Sequence, residues 1–496
     1  MIASPYPRLP ARLLNGVLIG ASLLLAGCNQ RSDVGPVVVS AIGPVPAIVD
    51  PARTPPNGPS RLLLDSVAQG LVRFDAAGQI APALAERWIV IDDGMSYIFR
   101  LREAEWSDGS RVTAGQVVER LRRQLAPRSR NPLRPYLSAI DEIVEMTPQV
   151  IEVRLKRPRL DLLKLFAQPE LAVVDERLRG GTGPFRTDSR RKISVLLRPA
   201  FDPARAGNDD VAAPGPEQSV QLIGERASRA IVRFVARQSD MVSGGSFADW
   251  PLIGTADVAP ANLKIDPAAG LFGLAIVNRD GFLADSDNRV ALSQAIDRDA
   301  VVAAYAPGWA ATSQILPEQL DSAAPAVMPA WASLTPEARR NGARARVRRW
   351  KDTHEGPLVL RIALPTGPGA TILFGFIGAA FRSIGIEPRR VSLTEEADLR
   401  LVDAVAPYDS ARWYLAAACQ LCGKAAQTAL IAARDANSLA ERAQNIAEAD
   451  IAVDQDAPFI VIARPLRWSL VALRLRQWQG NSRAWHPLSM LREDSR

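Results

Sequence analysis

Residues 95–125 admit few folds. Tyr97, Phe99 and Leu101 alternate with Ser96, Ile98 and Arg100, which predicts a strand with one face buried. Asp108-Gly109 then supplies a turn, because glycine takes positive φ at no steric cost and the aspartate side chain can bond the turn backbone. Thr113 followed by Gln116 has the spacing of a capping box that opens a helix. Val117, Val118, Leu121 and Leu125 share one face of that helix, and Arg120, Arg122 and Arg123 fall mostly on the other. Strand, tight turn and amphipathic helix in this order describe an α/β unit and carry no chemistry of their own.

The chain of 496 residues exceeds what one core usually supports, so two or three domains are expected. Hydrophobic residues make up 47%, enough for a fully folded globular chain. The formal charge of +7 is spread along the chain without a compact basic run interleaved with aromatics, which argues against a nucleic-acid partner. Catalysis is equally ill served. There are two histidines, His354 and His486, both in surface-like contexts, and no G-x-S-x-G or H-E-x-x-H motif. Two isolated imidazoles also make no compact metal site, and no cofactor is expected.

The N-terminus reads as an export signal. Arg8 and Arg12 form a basic region, residues 13–25 an apolar one, and Leu25-Ala26-Gly27-Cys28 ends it with small residues before a cysteine, which resembles a bacterial lipobox. Cleavage would make Cys28 the acylated N-terminus of a periplasmic, membrane-anchored lipoprotein, with residues 1–27 removed. Elsewhere the longest uncharged apolar run, residues 371–381, is too short to cross a bilayer.

Several short motifs recur in a telling order: Gly70 to Asp75, Pro82 to Trp88, Asp93-Gly94, Phe99 to Arg102, Trp106 to Gly109 and Thr113-Ala114. Further on come Gly180 to Phe185, Arg289 to Arg298 and Asp456 to Ala463. Together they closely resemble the extracellular solute-binding protein family 5, the peptide and nickel binding proteins of ABC importers. The resemblance implies an α/β, two-lobe periplasmic-binding-protein-like (type II) fold with a small extra subdomain on the first lobe. It divides the chain into a tether and start of lobe I at 28–60, an insert subdomain at 61–180, more of lobe I at 181–267, lobe II at 268–457 and a return to lobe I at 458–496. The hinge crossings would lie near Pro267 and Ala457.

The resemblance also implies a function: a monomer that captures a peptide or other small solute and hands it to a membrane permease and ATPase. A sensor or assembly lipoprotein without transport is the alternative. Ser243 to Phe247, with Gly244 and Gly245, marks a close backbone approach near the hinge, and Trp250 beyond it either lines the pocket or is simply buried. Pro407 to Trp413 sits where peptide binders of the family place a carboxylate for the ligand's α-amine, which makes Asp409 the candidate and Trp413 its neighbour; the competing role for Asp409 is a helix cap. The stretch after Trp413 is shorter than usual, favouring a short peptide in an open cleft. Cys419 and Cys422, in an oxidising compartment and without further zinc ligands, are expected to pair as a short-loop disulfide. Residues 231–234 read as a strand, and Asp287 and Asp299 as helix caps.

Overall fold

Val37–Ile42 is a run of small and β-branched residues with five of its six positions buried, the pattern of a strand covered on both faces. In the computed structural model, which describes residues 35–106, 108–175, 177, 179–200, 215–318 and 320–492, it is the middle strand of a seven-stranded sheet. Edge to edge the sheet runs Leu263–Asp266, Arg467–Val471, Met241–Ser246, Val37–Ile42, Val220–Glu225, Ser194–Pro199 and Phe185–Arg190. Val37–Ile42 pairs in parallel with both neighbours. Cys28 and the signal segment lie outside the described residues.

The second lobe is built on Gly270–Ile276, whose seven residues are all buried. Its five-stranded sheet runs Glu387–Val391, Val359–Ala363, Leu399–Val405, Gly270–Ile276 and Phe459–Ala463. Helix Pro368–Ser383 covers one face, and Leu373, Ile377 and Phe381 supply its fully buried stripe. Helices Ser286–Ala295 and Pro336–Lys351 join the same core, and helices Ala411–Ala418, Lys424–Asp435 and Leu439–Asp456 follow strand Leu399–Val405.

The strand that the alternation in residues 96–101 predicts is present. Ser96–Leu101 pairs antiparallel with Ala85–Ile91 and Val150–Leu155 in a four-stranded sheet that ends on Ile140–Thr147. Thr113 caps helix Ala114–Leu125 in a full capping box with Gln116, and Val117, Val118 and Leu121 are buried.

Three local expectations are overturned. Residues 231–234 are helical, within Ala227–Val235, because Ala227, Ala230 and Ile231 are the buried positions and their i, i+3, i+4 spacing suits a helix. Asp285 and Asp297 cap the helices assigned to Asp287 and Asp299, each two positions earlier. The second crossing between lobes lies at residues 464–466 rather than near Ala457, since Phe459–Ala463 still pairs with Gly270–Ile276 in lobe II. The other crossing, between Asp266 and Gly270, falls around Pro267. Just past the second crossing Arg467 reaches back to lobe II, its Nη1 donating to Asp403 Oδ1 of strand Leu399–Val405 at 2.7 Å.

Gly245 shows how closely this hinge is packed. A Cβ there would stand 2.2 Å from the ring of Trp468, which is 1% exposed and donates from Nε1 to the Ser246 carbonyl at 2.9 Å. Gly245→Ala should therefore cost about 1–3 kcal/mol in a denaturant titration. Gly375→Ala is the contrast: nothing lies within 4 Å of its Cβ position, and alanine in a helix interior should stabilise by roughly 0.5–1 kcal/mol.

Candidate functional site

After strand Leu399–Val405 the chain leaves lobe II's sheet and turns through residues 406–410 into helix Ala411–Ala418, which carries Asp409 out to face lobe I. There the Asp409 carboxylate meets two cations of lobe I at once, Lys164 Nζ and Arg483 Nη2. Lys164 projects from the short helix Leu162–Phe166, whose Leu162, Leu165 and Phe166 are buried and leave the lysine on the free face. Its side chain is 28% exposed and that of Asp409 41%, whereas that of Arg483 is 3% exposed. Burial and the neighbouring Arg483 charge pull Lys164 below the usual lysine range. Burial likewise pulls Arg483 down to about 10.

The backbone of the same turn is held from lobe I. Gln168 Nε2 donates to the Pro407 carbonyl at 2.6 Å, and Arg483 Nη1 to that of Ala406 at 2.9 Å. Arg61 orients Gln168 through Oε1 at 3.2 Å, pairs with Glu170 at 2.7 Å and stacks over the Trp485 ring at 4.9 Å. One helical turn further on, burial lifts Asp65 to about 7 against the opposing pull of Arg73 and Arg61.

Farther along the seam the lobes touch again. Arg157 pairs with Asp435 at 3.1 Å, Arg159 Nη2 donates to the Arg434 carbonyl at 2.8 Å, and the Tyr136 and Tyr408 rings lie 5.9 Å apart. A cavity of about 10 Å³ sits among Tyr136, Asp161, Tyr408, Arg412 and Arg442. Burial raises Asp161 to about 6 there, and neither its Oδ2 nor the Arg412 Nε has a hydrogen-bond partner. Behind this seam Arg442, 4% exposed, donates to both Asp321 and Ser410 and so braces the start of helix Ala411–Ala418.

Of the residues singled out from sequence, Asp409 lies at this junction and does not cap the helix that follows it, whose first N–H, of Ala411, donates instead to Asp321 Oδ1 at 2.7 Å. Trp413 is 4% exposed and packs edge-on against Tyr414 at 4.9 Å, so its ring is part of the core rather than an open wall. Gly244 is exposed with φ of +86°, Gly245 is buried under Trp468, and Trp250 is half-buried against the apolar clusters of both lobes. Among the described residues no hydrogen bond or ion pair joins these three to Asp409. Cys419 and Cys422 form a disulfide just beyond the helix. His486 departs from its surface-like reading, for it is 5% exposed and shares a 3.2 Å contact with Asp266 Oδ2 beside the first crossing. Sequence reasoning missed Lys164, Gln168, Arg61, Asp65 and Arg483. A single lysine inside the apolar run Leu162 to Phe166 was the one available signal.

Among the described residues no group of three or more His, Cys, Asp or Glu is arranged to hold a metal ion, and no helix is long and apolar enough to cross a membrane.

Residues 79–356 match the family of bacterial extracellular solute-binding proteins, family 5. The probable deoxycholate-binding periplasmic protein YgiS of Escherichia coli is 39% identical over 94 residues, a stretch covering 19% of this chain and 17% of that relative. Two solved structures share the fold almost end to end. Haemophilus influenzae OppA in complex with the peptide RPPGFSPFR superposes with a TM-score of 0.76 at 16% identity, covering 93% of this chain and 99% of that one. The Escherichia coli murein tripeptide binding protein MppA gives 0.77 at 18% identity, with 92% and 98% covered.

Proposed function

Since the chain belongs to the bacterial extracellular solute-binding proteins, family 5, we propose that it captures a peptide or peptide-like solute between its lobes in the periplasm and delivers it to an ABC permease and ATPase. The observation that carries this reading is the junction at Asp409. One turn of lobe II is met there by Lys164, Gln168 and Arg483 of lobe I, across two chain crossings that leave the lobes free to hinge. The contact from the partly exposed Lys164 to Asp409 can be exchanged for one to a solute as the lobes open and reclose. The peptide complex of the Haemophilus structure supports a peptide as the solute class. Deoxycholate, named for the Escherichia coli relative, supports the wider class of small organic acids.

Thermal-shift screening of the mature chain against di- to pentapeptides, glutathione and deoxycholate tests the reading. A solute at 100 times its Kd should stabilise by about 2.7 kcal/mol. No shift with any member of the panel would count against solute capture of this class.

Anchoring is a second part of the proposal. Leu25 to Cys28 supports acylation at Cys28, and two or three acyl chains hold a protein stably at a membrane. A clickable fatty-acid analogue should label the wild type and leave Cys28→Ser unlabelled; equal labelling of both would refute the anchor.

A further inference from the structure

We infer that lobe II carries a second binding site, for a short aliphatic diammonium ion, in the groove lined by helices Ser286–Ala295 and Leu439–Asp456. The groove encloses about 390 Å³, and none of its lining residues belongs to the Asp409 junction, so its occupant is distinct from the captured solute. Asp450 and Asp454 both line it from helix Leu439–Asp456. Four positions apart, they share one face of the helix and stand roughly 6 Å apart along its axis. Ile315, Val453 and Phe459 add an apolar lining beside them.

Four charged residues line the groove: Asp287, Arg289, Asp450 and Asp454. Two of them are answered within the chain. Arg346 Nη1 stands 3.5 Å from Asp287, and Arg289 pairs with Asp456 at 3.2 Å. Arg298 and Arg339 lie over the Trp331 ring at 4.7 and 5.8 Å, and Arg298 directs its donors to Ser293, Ile296 and Val461. The other two carboxylates are left over. Asp450 is 4% exposed, yet among the described residues its side chain receives only the Val327 amide, on Oδ2 at 2.8 Å, and Oδ1 has no partner. The half-buried Asp454 side chain has neither hydrogen bond nor ion pair among the described residues. Burial raises Asp450 to about 6, the Val327 hydrogen bond opposing and the Asp454 charge adding, and burial raises Asp454 as well. No cation offsets either shift. A buried carboxylate without a counter-charge is costly, which makes the pair a receptor for positive charge. Among the described residues no third ligand completes a metal site. Two carboxylates at this spacing beside apolar side chains instead match two ammonium groups joined by about four methylenes, each taking charge-assisted hydrogen bonds.

Isothermal titration of the mature chain with putrescine, butylamine and butanediol tests the site. Putrescine should bind, butylamine about tenfold more weakly because one ammonium is gone, and butanediol not at all. Putrescine affinity should fall as the pH drops through about 6, where Asp450 takes up a proton. Asp454→Asn alters a side chain with no partner in the free protein, so it should melt no more than a degree or two below wild type while putrescine binding weakens about tenfold. Asp450→Asn keeps an oxygen for the Val327 amide and should weaken putrescine equally. Putrescine affinity unchanged in Asp454→Asn, or matched by butanediol or by magnesium ion, would overturn the inference, as would no binding of putrescine at millimolar concentration. The peptide panel above reads solute capture separately, because neither variant touches the Asp409 junction.

Discussion

Asp456→Ala should lower the unfolding free energy by about 3–5 kcal/mol, a loss typical of stranding one member of a buried ion pair. The partner left behind is Arg289, whose side chain is 1% exposed. Its Nη2 reaches the Asp456 carbonyl at 2.5 Å and Oδ1 at 3.2 Å. Asp456 also receives Arg279 through Nη1 at 2.8 Å and Nη2 at 2.7 Å, and the Gly423 amide at 2.9 Å. One carboxylate at the end of helix Leu439–Asp456 thus gathers helix Ser286–Ala295, the loop carrying Arg279 and the segment after the disulfide. Burial alone would raise its pKa, but the Arg279 hydrogen bonds and charge overcome this and hold it below the usual carboxylate range. Its contribution is therefore present above about pH 4 and fades as the pH falls through the lowered folded value. Guanidinium titration at pH 7 measures the effect, and a loss below about 1 kcal/mol would show that Arg289 is adequately served by the Leu283 and Ala284 carbonyls at 2.7 and 3.0 Å.

Asp65 should give the opposite pH dependence and nearly as large an effect. Burial raises its carboxyl from 3.8 to about 7, so the folded chain binds a proton that the unfolded chain has already lost between those values. Stability from this group is full below about pH 4 and declines as the pH rises through about 7. The shift corresponds to an upper bound on the order of 4 kcal/mol, reduced by its partial contact with solvent. Asp65→Asn should raise the melting temperature at pH 8 and leave it nearly unchanged at pH 4. If the variant melts equally below wild type at both pH values, the side chain is serving as an ion-pair partner of Arg73 or Arg61 instead.

The elements whose local chemistry agrees with their tertiary role were readable from sequence. Thr113 and Gln116 form the capping box their spacing predicts, and Gly385 ends helix Pro368–Ser383 with φ of +93°. The two-lobe plan came from motif order, because neither lobe's sheet is contiguous in sequence: Val37–Ile42 and Arg467–Val471 lie two strands apart in the same sheet. Residues 231–234 misled because a short apolar run suits either period, and only the burial of Ala227 and Ala230 selects the helix. The partners of Asp409 were hidden for a related reason. Lys164 and Arg483 stand 245 and 74 positions away, and nothing local distinguishes a lysine on a helix face from one that crosses a domain seam.

The structure of the mature chain with its solute bound is the most direct measurement. The solute should lie between the lobes, within hydrogen-bond reach of Lys164 and walled by the turn around Asp409. A solute seated instead in the 390 Å³ groove of lobe II beside Trp331 and Asp450, with the Lys164 to Asp409 pair undisturbed, would contradict capture between the lobes.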